Sequence, residues 1–269
     1  LTASEKNKVE TKIPLTAQAT YEGSDRPKLI VMVVGETTRA ANWGLNGYAR
    51  PTTPELAKRD LINYSNVTSC GTSTAVSVPC MFSPLGRDNY DESSIDQHES
   101  LLDVLKMAGY DVLWVDNQSG CKGVCDRVPS IKLDSSTQTP GCSQDECFDD
   151  ALREELQART KELKKNTVIV LHEMGNHGPG YYKRYPKAYE KFSPVCQRDD
   201  LSKCDAQSIK NAYDNAIFYN DHVLSGIIEY LETQDNYDST MLYASDHGES
   251  LGENGVYLHG LPYLIAPDE

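Results

Sequence analysis

The stretch Ser69-Cys70-Gly71-Thr72-Ser73-Thr74-Ala75-Val76-Ser77-Val78-Pro79-Cys80 packs five hydroxyls and a glycine into a segment closed by two cysteines. A run of this kind reads as a loop feeding a helix start. The free N–H groups there, and their partial positive charge, favour an anion such as phosphate. A hydroxyl held at such an end would lie against the phosphate, but a free hydroxyl is a poor nucleophile without a base or a metal. The plainer reading is an ordinary Ser/Thr-rich capping turn, and the segment alone does not separate the two.

Further along, three apolar runs lead into acids or histidines: Lys28 to Val34 into Glu36, Thr167 to Leu171 into His172 and His177, and Thr240 to Ala244 into Asp246 and His247. Carboxylate oxygens with imidazole nitrogen are zinc ligand types, and the mixed donors also fit manganese. A bound divalent cation lowers the pKa of water from about 15.7 to about 7 and acts in the same way on an alcohol. Magnitude favours a metal as well. One general acid or base supplies about 10²–10⁴-fold, whereas phosphate-ester cleavage is among the slowest uncatalysed reactions.

The elements that must position these groups alternate. Lys28 to Val34, Asp111 to Val115, Thr167 to Leu171 and Thr240 to Ala244 read as buried strands. Leu101, Leu102, Val104, Leu105 and Ala108 follow helical spacing up to Gly109, and Ala212 to Leu231 marks one long helix. Asp149 to Lys165 is expected as a charged helix with acids early and lysines late, as the helix dipole favours. Residues 118–147 form a loop-rich insertion. The result is an α/β domain with a central, mainly parallel sheet flanked by helices, in which ligands bind beyond the carboxyl ends of strands. Residues 1–27 read as an extended polar lead-in and 28–269 as one catalytic domain. The tyrosine-rich loop 181–189 could equally face a membrane surface or solvent.

Net charge is −14 over 269 residues, unevenly spread: residues 1–90 hold 10 basic and 8 acidic residues, residues 91–269 hold 16 and 32. That balance excludes a general nucleic-acid partner. The longest strongly apolar run, Leu29 to Val34, is far short of a membrane span. A chain that starts at Leu with no signal peptide is expected to be processed or excised. The eight cysteines fall into close pairs, Cys70/Cys80, Cys121/Cys125, Cys142/Cys147 and Cys196/Cys204. About 105 connectivities are open, and nearest-neighbour pairing is expected because each pair brackets a polar loop. Without CxxC spacing or a neighbouring histidine, zinc thiolates are the weaker reading. Disulfides imply an oxidising compartment, the periplasm or the cell exterior.

Taken together, Val-Gly-Glu-Thr-Thr-Arg-Ala (34–40), Asn-Val-Thr-Ser-Cys-Gly-Thr-Ser-Thr-Ala (66–75), Ser-Val-Pro-Cys-Met-Phe-Ser (77–83), Gly-Asn-His-Gly-Pro (175–179), Ser-Asp-His-Gly-Glu-Ser-Leu-Gly-Glu-Asn-Gly (245–255) and Leu-His-Gly (258–260) resemble the periplasmic catalytic domain of bacterial lipid A phosphoethanolamine transferases, including the mobile colistin-resistance enzymes. The resemblance implies an alkaline-phosphatase-like fold and a location at the periplasmic face of the inner membrane. It implies zinc held by Glu36, Thr74, Asp246 and His247, with Thr74 as the nucleophile that becomes modified. The residue types alone do not choose Thr74 over Thr72 or Ser73. His177 and His259 match histidines that bind substrate phosphate or a second zinc. Lys122 matches a lysine near the substrate, and Gln118 stands where relatives can have Asn. His172 aligns without an assigned role and is expected to be structural, while His98 and His222 lie on predicted helices and read as structural or surface residues. Family members carry a membrane domain before this region, for which residues 1–27 would be the linker. They also continue past Leu-His-Gly with more α/β structure.

The activity so implied takes phosphoethanolamine from phosphatidylethanolamine and gives it to a lipid A phosphate, conferring polymyxin resistance. A sulfatase or phosphonate hydrolase on the same scaffold is the second reading. Sulfatases resemble one another in Cys/Ser-x-Pro-x-Arg, and here Ser77-Val78-Pro79-Cys80 runs into Met81. A glycerol-phosphate transferase is a third, and a non-enzymatic, metal-stabilised envelope module a fourth.

Overall fold

The computed structural model describes residues 12–134, 142–143 and 146–265, apart from Glu22 and Ser24. Its centre is a five-stranded sheet. β1 (Lys28–Gly35), β2 (Asp111–Asp116), β3 (Ser130–Lys132), β6 (Thr167–His172) and β7 (Asp238–Ser245) lie in the order β3-β2-β6-β1-β7. Every pairing among them is parallel. Two small antiparallel ribbons lie outside it: β4 (Cys142–Ser143) with β5 (Glu146–Cys147), and β8 (Ser250–Leu251) with β9 (Tyr257–Leu258).

Period-two alternation along the strands builds a core on each face. Leu29, Val31, Val33, Ile169 and Leu171 point to one side, where α4 (Asp150–Thr160) and α5 (Ala206–Glu232) cover them. Val34, Val112, Trp114, Val168 and Val170 point to the other and meet Val78 and Phe82 of α1 (Thr74–Met81) and Leu102 of α3 (Leu101–Met107). A short α2 (Glu92–Gln97) precedes α3. The strands read from sequence are all present, and β3 joins them at the edge beside β2. The molecule is a helix–sheet–helix sandwich of the expected class.

Two helices differ from expectation. α4 ends at Thr160, whose hydroxyl turns back to the Leu156 carbonyl at 2.8 Å and meets the Tyr230 hydroxyl at 2.6 Å. Lys161, Lys164 and Lys165 therefore lie past the helix, and the charge pattern the dipole favours is carried instead by Asp150 in the first turn and Arg159 in the last. α5 starts six residues before Ala212, because Asp205 caps it by accepting the Ser208 N–H at 2.9 Å. Its buried face is partly polar, which hides its start from apolar periodicity. Asp214 accepts from Asn42, Tyr48 and Arg50, and Asp221 accepts the N–H groups of Glu55 and Leu56. α5 thus pins the loops that follow β1.

All four disulfides form between nearest neighbours, Cys70–Cys80, Cys121–Cys125, Cys142–Cys147 and Cys196–Cys204. The tyrosine loop is not a free surface. Tyr181 and Tyr185 are buried, Tyr181 edge-on to Tyr213 in the α5 core. Within the lead-in, Ile13 bridges to His98 and Tyr21 packs edge-on to Tyr110. His222 packs against Tyr189 on the α5 surface. No helix among the described residues is long and apolar enough to cross a membrane.

Asp149, just before α4, ties the layers together. It accepts from the Asn117 side chain at 2.7 Å and from the N–H groups of Met174 and Gly175, each at 2.8 Å. Replacing it with Ala leaves three donors short of an acceptor, two of them on the loop after β6. We expect Asp149→Ala to cost about 3–5 kcal/mol in urea unfolding with the disulfides intact; a loss under about 1 kcal/mol would mean the loop is held by other contacts.

Candidate active site

Because the strands are parallel, their carboxyl ends open on one edge of the sheet. Adjacent exits there carry Glu36 after β1, Gln118 after β2, His177 after β6, and Asp246 and His247 after β7. Glu36 is fully buried and gathers the others. Its Oε2 accepts from Thr74 Oγ1 at 2.9 Å and from Gln118 Nε2 at 2.5 Å. Its Oε1 accepts from Thr37 Oγ1 at 2.5 Å and lies 3.3 Å from His247 Nε2. His247 Nε2 is in turn 3.5 Å from Asp246 Oδ2 and 3.4 Å from Thr74 Oγ1.

Thr74 is the first residue of α1. Ser73 caps that helix by backbone geometry alone, with no side-chain bond to it, so the ordinary capping turn is not what the hydroxyl run builds. Of Thr72, Ser73 and Thr74, it is Thr74 whose hydroxyl reaches Glu36.

The surroundings orient each group. Asp246 Oδ1 accepts the N–H groups of Thr37 at 3.1 Å and His247 at 2.7 Å, while its Oδ2 is buried with no hydrogen-bond partner. His247 Nδ1 lies 2.8 Å from the Gly248 carbonyl, which makes Nδ1 the proton-bearing nitrogen and turns Nε2 toward the carboxylates. His259 Nδ1 meets Glu249 at 3.3 Å; its ring lies 4.5 Å from that of His247 and 5.5 Å from that of His177. Ligand atoms of Glu36, Asp246 and His247 all fall within 4.8 Å of one another, and so do those of Glu36, His177 and His259.

The charges are compressed. Burial opposes ionisation of Glu36, yet the hydrogen bonds and charge of His247 and the Thr37 bond hold it well below the usual carboxylate range. Burial, reinforced by the Glu36 charge, pushes Asp246 up to about 6. Burial works against a charged His247, but the bond to Glu36 and the charges of Asp246 and Glu36 outweigh it and push it up to about 9. Burial lowers His177 and raises Glu249 to about 7. Burial also opposes a charged His259, but its bond to Glu249 raises it. Two buried carboxylates, an unpartnered oxygen and an imidazole nitrogen turned inward fit a divalent cation, and the donor set is one that zinc accepts.

Lys122 stands apart from this cluster. It is half-buried, in a left-handed conformation at φ 51°, and its ammonium bonds Ser119. His172 is buried, with Nδ1 3.0 Å from Asp116 Oδ2, and serves packing. Sequence reasoning missed several positioning residues. Asp116 accepts from Trp114 Nε1, His172, and the N–H groups of Gln118 and Gly120, and so shapes the loop that carries Gln118. An acid closing a strand was its available signal, the same as for Glu36 and Asp246. Tyr213 of α5 clamps the loop after Glu36, donating to the Thr37 carbonyl at 2.5 Å and accepting the Arg39 N–H at 3.0 Å; nothing in its sequence context announces this. Gly175 has φ +52°, and a Cβ there would fall 2.5 Å from the Glu36 carbonyl oxygen.

The sulfatase family model matches residues 28–269. The chain is 49% identical over 261 residues to the phosphatidylethanolamine transferase Mcr-1 of Escherichia coli, covering 94% of this chain and 48% of that protein. It thus spans about half the length of the curated relatives it matches. The soluble domain of lipooligosaccharide phosphoethanolamine transferase A from Neisseria meningitidis superposes with a TM-score of 0.87 at 47% identity, over 93% of this chain and 75% of that one. The periplasmic domain of EcEptC from Escherichia coli, solved as a complex with Zn, superposes with a TM-score of 0.73 at 25% identity, over 93% and 72%.

Protons on Asp246 and His247 compete with a cation for the same atoms. Zinc affinity should therefore rise as pH climbs from below 6 toward 9, with net proton release at pH 7. Calorimetry in two buffers of different ionisation enthalpy reads this directly; affinity flat between pH 6 and 8 would place the ion elsewhere. Gly175→Ala should weaken zinc binding by about tenfold or more, through displacement of Glu36.

Proposed function

The chain belongs to the sulfatase family and, within it, to the phosphoethanolamine transferases, and from that membership we propose that it moves phosphoethanolamine from phosphatidylethanolamine to a phosphate of lipid A through a covalent intermediate on Thr74. The observation that carries this reading is the 2.9 Å bond between Thr74 Oγ1 and a buried Glu36, at the head of a helix and inside a ligand set. The proposed setting is the periplasmic face of the inner membrane, with a membrane-anchored partner domain and polymyxin or colistin resistance as the consequence. Four disulfides agree with an oxidising compartment.

Glu36, Thr74, Asp246 and His247 would hold one zinc ion, and His177 with His259 would contact the substrate phosphate or a second ion. Bound zinc supplies positive charge that lowers the pKa of a threonine hydroxyl and offsets the charge on phosphoryl oxygens. Glu36, held well below the usual carboxylate range, is a poor base. Its part is to aim Thr74 Oγ1. Gln118 Nε2 and Thr37 Oγ1 keep that carboxylate from turning.

In the first half-reaction the Thr74 oxygen forms a bond to phosphorus while the bond from phosphorus to the diacylglycerol oxygen breaks. The departing oxygen needs a proton. His259, whose charged form Glu249 supports, would give one. The proton that Thr74 gives up passes to solvent water, from which His259 is reprotonated. In the second half-reaction a lipid A phosphate oxygen bonds to phosphorus, the bond from phosphorus to the Thr74 oxygen breaks, and that oxygen takes a proton from His259. The products are diacylglycerol and lipid A bearing phosphoethanolamine. Free N–H groups at the head of α1 favour the anion throughout.

Incubation with phosphatidylethanolamine and zinc should add one phosphoethanolamine to the intact mass, located at Thr74. Thr74→Ala should lose the adduct and on the order of 10⁴-fold or more of turnover, whereas Thr74→Ser should keep both in part. An adduct on Thr74→Ala would falsify the nucleophile, and a glycerol-phosphate adduct on the parent would reassign the donor. His259→Ala should slow adduct formation by about 10²–10⁴-fold and be partly rescued by a donor with a more acidic leaving group.

A further inference from the structure

His259 reaches the site on an element too small to hold itself. It follows β9 directly, and β9 pairs with β8 in a ribbon separate from the main sheet, through Ser250 with Leu258 and Leu251 with Tyr257. A two-stranded ribbon is marginal in water at best, so two ladder positions do not fix a side chain beyond their end. The register continues to Glu249 opposite His259, the pair whose Oε2 and Nδ1 are 3.3 Å apart. Leu258 adds a demand of its own. Its backbone is left-handed at φ 70°, uncommon for a residue with a Cβ, and this turns the chain into His259. Such a conformation persists only where surrounding contacts impose it.

Arg39 supplies such contacts. It is 5% exposed, in the loop after β1, and each of its three guanidinium nitrogens meets a protein oxygen. Nε donates to Asn42 Oδ1 at 2.6 Å, Nη1 donates to the Glu249 carbonyl at 3.0 Å, and Nη2 lies 2.8 Å from Glu253 Oε1. Asn42 is held in turn by Asp214 of α5, at 2.5 Å. Glu253 stands in the turn between β8 and β9, and its other oxygen accepts the Leu251 N–H at 2.6 Å. The guanidinium thus grips the ribbon at the start of β8 and at its turn, and ties both to the core. A planar fork can meet three acceptors at once, which an ammonium on a flexible stem does not reproduce. Beyond His259 a second tie runs from Gly260 N–H to the Thr72 carbonyl, at 2.7 Å. His259 lies between the two, its ring 4.5 Å from that of His247.

We propose that Arg39 is a positioning residue for the proton-transfer step: through the β8–β9 ribbon it holds His259 beside His247. The inference deepens the transferase reading and rests on it for the chemistry, in which His259 gives a proton to the departing oxygen. Arg39 forms and breaks no bond in that step. Its nitrogens are engaged by the protein, so it acts through the ribbon and not on the substrate.

Arg39→Gln removes the charge and the fork. Adduct formation from phosphatidylethanolamine should then slow by about 10²-fold in kcat, the loss that a displacement of about 1 Å brings, with KM within about threefold of the parent. Transfer from a nitrophenyl ester of phosphoethanolamine, whose leaving group departs without a proton, should fall by less than about threefold. Arg39→Gln/His259→Ala should be no slower than His259→Ala alone, because residues that act as a unit do not add. Glu253→Gln leaves the buried fork in place and should give a smaller loss of the same pattern, so the test stands even if Arg39→Gln does not fold. One readout needs no activity. In histidine ring spectra by NMR, the Cε1–H signal of His259 should move in Arg39→Gln, while those of His98 and His222 stay. Equal slowing with both donors, a further loss on top of His259→Ala, or an unmoved His259 signal each overturns the proposal. A parent that forms no adduct at Thr74 removes the donor assignment, and the ring signal then decides the role of Arg39 alone.

Discussion

A buried carboxylate with too many partners to be accidental organises this protein. Glu36 lies fully inside, with Thr37, Thr74, Gln118 and His247 all brought to its two oxygens. An ionised carboxylate without such partners would not survive burial; it would take up a proton or refuse to fold inward. The partners come from four places in the chain that only a closed tertiary structure unites. Site and fold therefore depend on the same interaction: whatever assembles the ligands also satisfies the charge.

Around that centre the support is rigid and polar. Asp116 and Asp149 each gather donors from the loops beyond β2 and β6. Tyr213 and Asp214, on the inner face of α5, hold the segment that leaves β1. Gly175 lets the β6 loop press against the Glu36 backbone, a contact that any side chain would obstruct. The loops at the carboxyl edge of the sheet are thus tied to core elements by charge-assisted bonds, which are stronger than neutral ones. Disulfides close loops as well, among them the one that carries Thr74.

The surface follows the same division. Acidic residues crowd the later part of the chain, while residues 61–87, which carry Thr74, contain none. The tyrosine-rich loop 181–189, for which composition left membrane and solvent equally open, spends Tyr181 and Tyr185 on the core of α5 instead.

Much of this was legible in the chain itself. Strand runs of the Val-Ile-Val type, ending in Glu, His or Asp, announced a parallel sheet with ligands at its carboxyl edge, because period and composition are local properties. Cysteine pairs close in sequence found each other because short loops leave them little choice. Where the signal was non-local, reading failed. α4 was overextended: it ends at Thr160, whose hydroxyl meets that of Tyr230 on another helix, a partner that local sequence does not reveal. The start of α5 was missed because its buried face is polar, and that polarity makes sense only against loop 42–56 and the segment 191–194 that it bonds. Thr74 could not be told from Thr72 or Ser73 by residue type, since all three bear hydroxyls; the helix start and the reach to Glu36 separate them. The sequence by itself determined which kinds of groups would stand at which strand ends. The tertiary structure decided which of their atoms share a few ångströms, because distance between side chains depends on how strands are ordered and loops are clamped, and neither is written in local periodicity.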